Sequence, residues 1–298
     1  MRRGEMKMYY AAIDIGGSYI KYAVLDHWGA IQTKHKQLTP ENTGNGILLT
    51  IQRIIEKLQV SYVLSGIGVS TAGIVDRAQG KIVYAGPTIA HYQGTEIASF
   101  LHQTFAVPVH VENDVKAALL GEIWARGLAD PANIYLLTLG TGIGGAYYTD
   151  QLMDGHYGNG NSIGYMLTNP TDHSNYETRA STNSLKRQLQ QYPELPSTIE
   201  ALFTEAEKGN KEGQELLHRW GTNVAQGIAE IMLILNPSMI LLGGGISQQE
   251  SRLLRYIDPH LDLYLPDKRF RTPLQTARLQ NDAALLGSIY PFFQEEII

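Results

Sequence analysis

The 298-residue sequence contains no cysteine, which excludes disulfide bonds and thiolate metal sites. It also lacks any apolar run close to the ~20 residues that a membrane span needs. Its first eight residues show no signal-peptide pattern. A chain without cysteine is compatible with a reducing compartment. We therefore expect a cytoplasmic protein with no membrane partner.

Basic clusters are missing as well. Lys and Arg total 24 against 29 Asp and Glu, which gives a formal net charge of −5. No basic block stands out, so a nucleic-acid partner is not expected. Hydrophobic residues make up 43% of the chain and charged residues 18%, which supplies ample apolar material for a core. The length suits about two domains of ~150 residues each.

Apolar runs that predict strands alternate with amphipathic patterns that predict helices, which favours an α/β fold. The predicted strands are 9–15, 19–25, 30–37, 63–69, 107–111, 134–139, 145–149 and 239–242. The predicted helices are 46–59, 96–105, 114–126, 182–191, 198–208, 211–235 and 283–293. The polar segment 154–175, rich in Gly and Asn, predicts a long loop of the kind that often lines a site.

A weak internal repeat relates the two halves of the chain. Residues 12–18 and 136–145 each predict a buried strand, a glycine turn and a returning strand. A duplicated half suggests two like domains with a cleft between them. We place the first domain at residues 1–115 together with about 283–298, and the second at 116–282.

The first glycine motif is residues 14–18, DIGGS, with Lys21 shortly after it. Glycines at a strand-to-strand turn let the backbone approach a phosphate closely, with N–H groups facing it. Asp14 stands at the strand end, where a carboxylate can hold Mg²⁺ directly or through water. The alternative is a tight hairpin whose glycines serve only to provide positive φ.

Two further glycine clusters lie in the second half. Residues 140–145, GTGIGG, place four glycines in six residues after an apolar strand, and Thr141 adds a hydroxyl donor. The cluster resembles half of a dinucleotide fingerprint, but a predicted strand follows it instead of a helix, which argues against a Rossmann fold. The cluster 243–245 follows the strand 239–242 and, taken alone, indicates a turn at the start of a helix.

Glu112, Asn113 and Asp114 lie between the strand 107–111 and the helix that follows. A carboxylate there can accept a proton from a substrate hydroxyl, while the Asn side chain can fix a second hydroxyl. Phosphoryl transfer depends mostly on positioning and charge stabilisation, so one aimed carboxylate suffices as the base. The alternative is a helix N-cap, with Asp114 at or near the cap position.

These segments occur in a characteristic order. The order is DIGGS at 14–18, GIGVSTAGIVD at 66–76, END at 112–114, LGTGIGG at 139–145, and then 236–245. Over nearly the whole chain it closely resembles the ROK family of sugar kinases and related repressors. The resemblance implies the two-domain, ribonuclease H-like fold of actin, Hsp70 and hexokinase, with ATP and a sugar bound in the cleft. It also implies Mg²⁺ as a cofactor and a homodimer.

The resemblance further implies a role for each matching residue, with Asp114 as the general base for phosphorylation of a sugar hydroxyl. It assigns the Mg-phosphate to Asp14, Gly16, Gly17, Ser18 and Lys21. It assigns the other phosphates to Thr141, Gly142 and Gly144, and adenosine to Gly243 and Gly244. It assigns the sugar to Asn113, Gly73, Thr88, Ser162 and Tyr165.

The chain departs from the family's pattern in its sugar-binding segment. Many members carry a cysteine-rich zinc site after a Gly-Glu-x-Gly-His segment, and the matching segment here is NSIGYM at 161–166, so zinc is not expected. Ser162 stands in place of the usual Glu, Tyr165 in place of the His, and Thr88 in place of an Asn that often contacts sugar. The segment looks like a zinc-free branch that includes β-glucoside kinases.

The lost Glu should alter specificity, because a site built to pair sugar hydroxyls discriminates sharply. Glucose, N-acetylmannosamine and β-glucosides all stay open as substrates. Aromatic faces suit sugar rings, although a buried or surface Tyr is the commoner case. Tyr92 lies in the segment that matches the family's sugar-contacting loop and is the Tyr to test for a sugar contact.

Two other functions compete with a kinase. The family also contains sugar-binding regulators without catalysis, which carry a helix-turn-helix segment before the first glycine loop. Only 13 residues precede Asp14, so we expect no such segment, and the retained Asp114 favours catalysis. An NAD-dependent dehydrogenase is disfavoured by the glycine spacing.

Overall fold

The computed structural model describes residues 8–86, 89–127 and 133–294. Tertiary contacts divide the chain into two units. The first combines Met1–Leu128 with Asp282–Ile298, and the second is Ala129–Asn281. Within the described residues, no helix has both the length and the apolar character that crossing a membrane requires.

Strands and helices alternate along both units, as the sequence predicts. The strands are β1 (Tyr9–Ile15), β2 (Tyr19–Asp26), β3 (Ile31–Leu38), β4 (Leu64–Thr71), β5 (Ile74–Asp76), β6 (Lys81–Tyr84), β7 (Val109–Asn113), β8 (Ile134–Leu139), β9 (Ile143–Tyr148), β10 (Met239–Gly243) and β11 (Leu274–Thr276). The helices are α1 (Gly46–Gln59), α2 (Ile97–Phe105), α3 (Asp114–Arg126), α4 (Tyr176–Ala180), α5 (Thr182–Leu189), α6 (Ile199–Glu207), α7 (Lys211–Leu235), α8 (Ser251–Arg255), α9 (Ala283–Ile289) and α10 (Pro291–Gln294).

The first unit is built on a five-stranded sheet in the order β3-β2-β1-β4-β7. β1 pairs antiparallel with β2 and parallel with β4, and β4 pairs parallel with β7. Successive side chains of a strand point to opposite faces. Ile13 faces a core shared with α1 and α2, whereas Ala12 faces a second core with Leu285 and Ile289 of α9. Because both faces are covered, β1 is apolar except for Asp14 near its end.

Glycines bring α3 and α9 into backbone contact. A Cβ at Gly121 would lie 3.1 Å from the amide nitrogen of Gly287, and a Cβ at Gly287 would overlap the carbonyl group of Ala117. α3 therefore shares its surface with the C-terminal helix. For this reason the first unit extends to Leu128, beyond the boundary at 115 that the sequence predicts.

The second unit contains a four-stranded sheet in the order β11-β10-β8-β9. β8 and β9 form an antiparallel hairpin with β10 parallel to β8, just as β1 and β2 form a hairpin with β4 parallel to β1. The repeat predicted from the glycine turns is thus confirmed as a repeat of strand topology. Trp220 of α7 is fully buried in the core of this unit, and its Nε1 donates to the carbonyl oxygen of Ala180 at 3.0 Å.

The prediction missed several short elements and misplaced several ends. β5, β6, β11, α4 and α8 have no counterpart in the predicted set. β9 begins at Ile143 instead of position 145. The helix predicted at 283–293 is two helices, α9 and α10, divided before Pro291, because proline has no N–H to donate to the preceding turn.

We expect Gly287→Ala to lower the free energy of unfolding by about 1–3 kcal/mol, because the added methyl group would push α9 away from α3. This loss works against the higher helix propensity of Ala, which favours the variant by about 1 kcal/mol. Urea denaturation would measure the change. Gly213→Ala in α7 is the matched control, because its Cβ would meet side-chain atoms and no backbone, with Cδ1 of Leu202 at 3.3 Å and Oδ1 of Asn210 at 3.5 Å. Equal stability of Gly287→Ala and wild type would contradict this account of the helix contact.

Candidate active site

Three parallel strands of the first unit end at the same edge of the sheet. Ile15 of β1 aligns with Thr71 of β4, and Thr71 aligns with Asn113 of β7. Asp14 and Asp114 flank this row, one residue before it on β1 and one residue after it on β7. In α/β sheets, ligands bind beyond the carboxyl ends of parallel strands. The topology therefore brings two of the predicted site carboxylates to one edge.

Asp14 is buried and held from two sides. The hydroxyl of Ser70 donates to Oδ1 at 2.9 Å, and the Nζ of Lys21 donates to Oδ2 at 3.2 Å. Lys21 lies directly opposite Asp14 across the hairpin, which explains their pairing. These two residues thus form one charged pair, next to the turn of the first glycine motif.

Asp14 fits the environment expected of a magnesium ligand. Mg²⁺ keeps several waters and is typically held by one or two carboxylates together with substrate phosphates. In the described parts of the chain, no three His, Asp or Glu side chains converge as a closed metal site would require. A single carboxylate beside a glycine turn suits an ion such as magnesium, which takes its other ligands from water and substrate.

The turn after Asp14 is shaped by hydrogen bonds and not by unusual φ angles. The amide of Gly16 donates to the carbonyl oxygen of Tyr19 at 3.0 Å, and the hydroxyl of Thr39 donates to the carbonyl oxygen of Gly16 at 2.6 Å. Neither Gly16 nor Gly17 has positive φ. The alternative that these glycines serve only to provide positive φ is therefore wrong. Gly17 and Ser18 are exposed at the tip.

Asn113 caps α3, and Asp114 is the first residue of the helix. The Oδ1 of Asn113 accepts from the amides of Val115 and Lys116 at 3.0 and 3.2 Å. Its Nδ2 donates to the carbonyl oxygen of Gly73 and to Oδ1 of Asp114, both at 2.9 Å. The cap is thus one residue earlier than the expected Asp. Both amide hydrogens of Asn113 are engaged, so a bond to a sugar hydroxyl would have to replace one of them.

Gly73 cannot carry a side chain in this conformation. Its φ is 103°, and a Cβ would lie 2.7 Å from the carbonyl oxygen of Tyr84. Its place in the site is therefore fixed by its backbone, whose carbonyl oxygen holds Asn113.

The carboxyl group of Asp114 is partly buried, and its pKa is raised to about 6. Burial contributes most to the higher pKa, and the negative charge of Asp14 adds to it. Hydrogen bonds from the amide of Val115 and the side chain of Asn113 stabilise the ionised form and oppose the shift. At neutral pH the group is mostly ionised and can accept a proton.

Two further residues that the sequence analysis singles out, Tyr92 and Thr88, belong to the same unit. Tyr92 is 1% exposed, its ring lies in the core with α1 and α2, and its hydroxyl is 2.7 Å from that of Thr71. Tertiary packing thus covers its ring, which is the commoner case for a Tyr, and leaves no ring face open to a sugar. Thr88 lies outside the described residues. A pocket of about 360 Å³ is lined by Ala85, Gly86 and residues 89–93.

In the second unit, residues 140–142 of the glycine cluster form the turn of the β8–β9 hairpin, and residues 143–145 begin β9. The amide of Gly140 donates to the carbonyl oxygen of Gly142 at 2.9 Å, and Leu139 aligns with Ile143 across the hairpin. Thr141 is exposed at the tip. A strand follows the cluster, as predicted, and a Rossmann fold is excluded for this segment.

Glu177 of α4 lies against this turn and was missed by the sequence reasoning. Its Oε2 accepts from the amide of Ile143 at 2.9 Å. A Cβ at Gly142 would collide with the same carboxylate, and a Cβ at Gly164 would lie 3.2 Å from it. Glu177 therefore joins the glycine turn to the segment that contains Ser162. In the sequence, Glu177 is marked only as a single acidic residue in a polar stretch.

Ser162 and Tyr165 flank Gly164 in a short 3-10 turn, Ile163–Tyr165, that packs against the start of β9. A Cβ at Gly164 would lie 2.7 Å from the carbonyl oxygen of Ile143, which leaves no room for a side chain. Ser162 is exposed, and its hydroxyl donates to the carbonyl oxygen of Asn159 at 2.7 Å. Tyr165 is 65% exposed. The structure thus brings the two substituted positions close to the second glycine turn.

The third glycine cluster lies beside the second. Gly243 aligns with Thr138 of β8. Gly244 has a φ of 86°, and a Cβ there would collide with the backbone of Leu139. The cluster is thus more than the start of the 3-10 helix Gly245–Gln249, because its backbone touches the strand that leads into residues 140–145.

Known proteins resemble this chain along nearly all of its length. The model of the ROK family matches residues 10–295. A beta-glucoside kinase from Klebsiella pneumoniae is 30% identical over 297 residues, which cover 96% of this chain and 97% of that protein.

Solved structures share the fold. A ROK family protein from Streptococcus pneumoniae in complex with sucrose is 29% identical, with a TM-score of 0.83 over 97% of this chain and 99% of that one. A ROK family glucokinase from Streptomyces griseus in complex with glucose and AMPPNP is 24% identical, with a TM-score of 0.79 over 94% and 97% of the two chains. The fold is the two-domain, actin-like fold of the sugar kinases. With the family model matched from residue 10 to residue 295, the chain belongs to the ROK family.

Proposed function

We propose that the protein is an ATP-dependent sugar kinase, and that Asp114 is its general base. The observation that carries the proposal is the Asp114 carboxylate, which lies at the same sheet edge as Asp14 and has a pKa raised to about 6. The 30% identity to a beta-glucoside kinase supports the reaction class.

The proposed reaction needs one proton acceptor. As a hydroxyl oxygen of the sugar attacks the γ-phosphorus of ATP, its proton passes to Asp114, the bond between the β–γ bridging oxygen and the γ-phosphorus breaks, and ADP leaves. Among the described residues, hydrogen bonds to this carboxylate end on Oδ1, so we propose Oδ2 as the accepting atom. The proton later returns to solvent.

We propose that the two hairpin turns hold the nucleotide phosphates. A bound Mg²⁺ would offset the phosphate charge, which is the contribution of the ion to this chemistry. Zinc has no part in the proposal. The assignments are Asp14, Gly16, Gly17, Ser18 and Lys21 for Mg-phosphate, Thr141, Gly142 and Gly144 for the other phosphates, and Gly243 and Gly244 for adenosine.

For the sugar, we propose a substrate with a substituent near its anomeric end. Ser162 offers one short neutral hydroxyl where many relatives of the family have a longer charged acceptor, so the site is roomier and less polar there. A β-glucoside or an N-acetylated sugar would use this space. The sucrose-bound ROK protein, at 29% identity, shows a relative that holds a substituted glucose.

We expect Asp114→Asn to reduce kcat by about 10²–10⁴-fold, because an amide cannot accept the proton. Mass spectrometry of a sugar panel with ATP would identify the sugar phosphate, and a coupled assay for ADP would give kcat. ATP binding and thermal stability should survive in the variant. Asp76→Asn in β5 is the control for the same chemical change elsewhere in the unit. A kcat within a few fold of wild type would remove Asp114 from this role, and a sugar sensor would form no sugar phosphate at all.

The pH profile should show when Asp114 is ionised. Its pKa is raised to about 6, so we expect kcat/KM to rise with pH through about 6 and to level off above about 7. The residual activity of Asp114→Asn should not rise with pH in this range. Any effect of the titration of ATP on the rate would appear in both proteins. The same rise of kcat/KM with pH in wild type and variant would show that another group controls the rate.

Ser162→Glu should shift specificity toward plain glucose. A charged acceptor for a sugar hydroxyl contributes about 1.5–3 kcal/mol, so the ratio of kcat/KM for glucose over a bulkier sugar should rise by roughly 10- to 150-fold. Thr171→Glu adds the same charge to an exposed turn of the same segment and should leave the ratio unchanged. If wild type already prefers glucose strongly, or if both variants behave alike, position 162 does not set specificity.

A further inference from the structure

A second polar pocket lies in the first unit, between α1 and the strands β2 and β3. Its volume is about 180 Å³. None of its residues belongs to the glycine turns or to the Asp14–Asp114 edge. The lining residues are Tyr22, Gln37, Thr50, Arg53, Ile54 and Lys57.

The pocket follows from the geometry of the elements that form it. Thr50, Arg53, Ile54 and Lys57 lie at positions i, i+3, i+4 and i+7 and so share one face of α1. On the sheet, Ile20 aligns with Gln37 on the neighbouring strand, two residues before Tyr22. Residues two apart on a strand point to the same face, so Tyr22 and Gln37 face α1 together.

Two positively charged side chains without an ion-pair partner among the described residues line this pocket. Arg53 and Lys57 are exposed, and within the described residues neither has an ion-pair partner. Glu56 on the same helix instead accepts a hydrogen bond from Gln52 at 2.8 Å. Like charges four residues apart on a helix repel each other, and a bound anion would remove that repulsion.

Two residues with hydroxyl groups, both mostly covered, also line the pocket. Tyr22 is 6% exposed and Thr50 is 8% exposed, and no hydrogen bond joins either hydroxyl to another described residue. Neither oxygen is among the buried polar atoms that lack a partner, so both hydroxyls reach solvent and can donate to a ligand or to water. The ring of Tyr22 is fixed by contact with His35, at 5.3 Å between ring centroids.

We propose that this pocket binds the phosphate group of a small phosphate monoester, at a site separate from the nucleotide turns. A phosphate dianion matches two cations, and a guanidinium group can donate to two of its oxygens at once. The hydroxyls of Tyr22 and Thr50 and the amide of Gln37 pair with the remaining oxygen and with hydroxyls of the ester. The pocket is smaller than the 300–1,000 Å³ or so of typical ligand sites, which favours a small ligand over a nucleotide.

Calorimetric titration of the whole protein tests the site. The protein is first saturated with Mg-AMPPNP, so that the nucleotide turns are filled. Glucose 6-phosphate, inorganic phosphate and glucose are then titrated separately. We expect saturable binding of glucose 6-phosphate, weaker binding of inorganic phosphate, and an affinity for the ester that Arg53→Gln and Lys57→Gln each reduce at least about tenfold.

Matched variants separate the pocket from general charge effects. Lys36→Gln removes one cation from β3, where the side chain points to the other face and stacks over Tyr19, and it should keep the affinity within about twofold. Tyr22→Phe keeps the ring contact but loses the hydroxyl, and should weaken binding a few fold. Absence of saturable binding, equal losses in Lys36→Gln and Lys57→Gln, or equal affinity for the ester and inorganic phosphate would overturn the proposal.

Discussion

The shared register of β1, β4 and β7 holds the carboxylates of Asp14 and Asp114 at one edge of a sheet. Each carboxylate is stabilised locally, Asp14 by Ser70 and Lys21 and Asp114 by the first amides of α3. Their proximity still raises the pKa of Asp114. The positions of both carboxylates therefore come from strand pairing and not from a long loop.

Much of this arrangement follows from local pattern. α3 and β8 have the bounds that the sequence predicts, because continuous apolar runs and capping residues mark their ends. The glycine turns were predicted as strand-to-strand connections, and both are hairpins. The order of the motifs identified the family, whose model spans residues 10–295.

The features that the sequence did not predict depend on contacts between distant segments. Tyr92 lies in a loop, but Thr71 and a core of α1 and α2 cover it. Glu177 becomes informative only when its carboxylate meets the amide of Ile143, 34 residues earlier. Asn113 and Asp114 are equally good capping residues, so composition alone could not decide which one caps α3.

The return of α9 to the first unit affects how the chain folds during synthesis. The second unit is one continuous segment, Ala129–Asn281, so all of its contacts are available once that segment has left the ribosome. The first unit differs, because the face of β1 that carries Ala12 is covered by Leu285 and Ile289. Until those residues emerge, an apolar sheet surface stays open to solvent, and such surfaces favour aggregation and chaperone binding. The unit that holds Asp14 and Asp114 is thus the last to be completed, although its synthesis begins first.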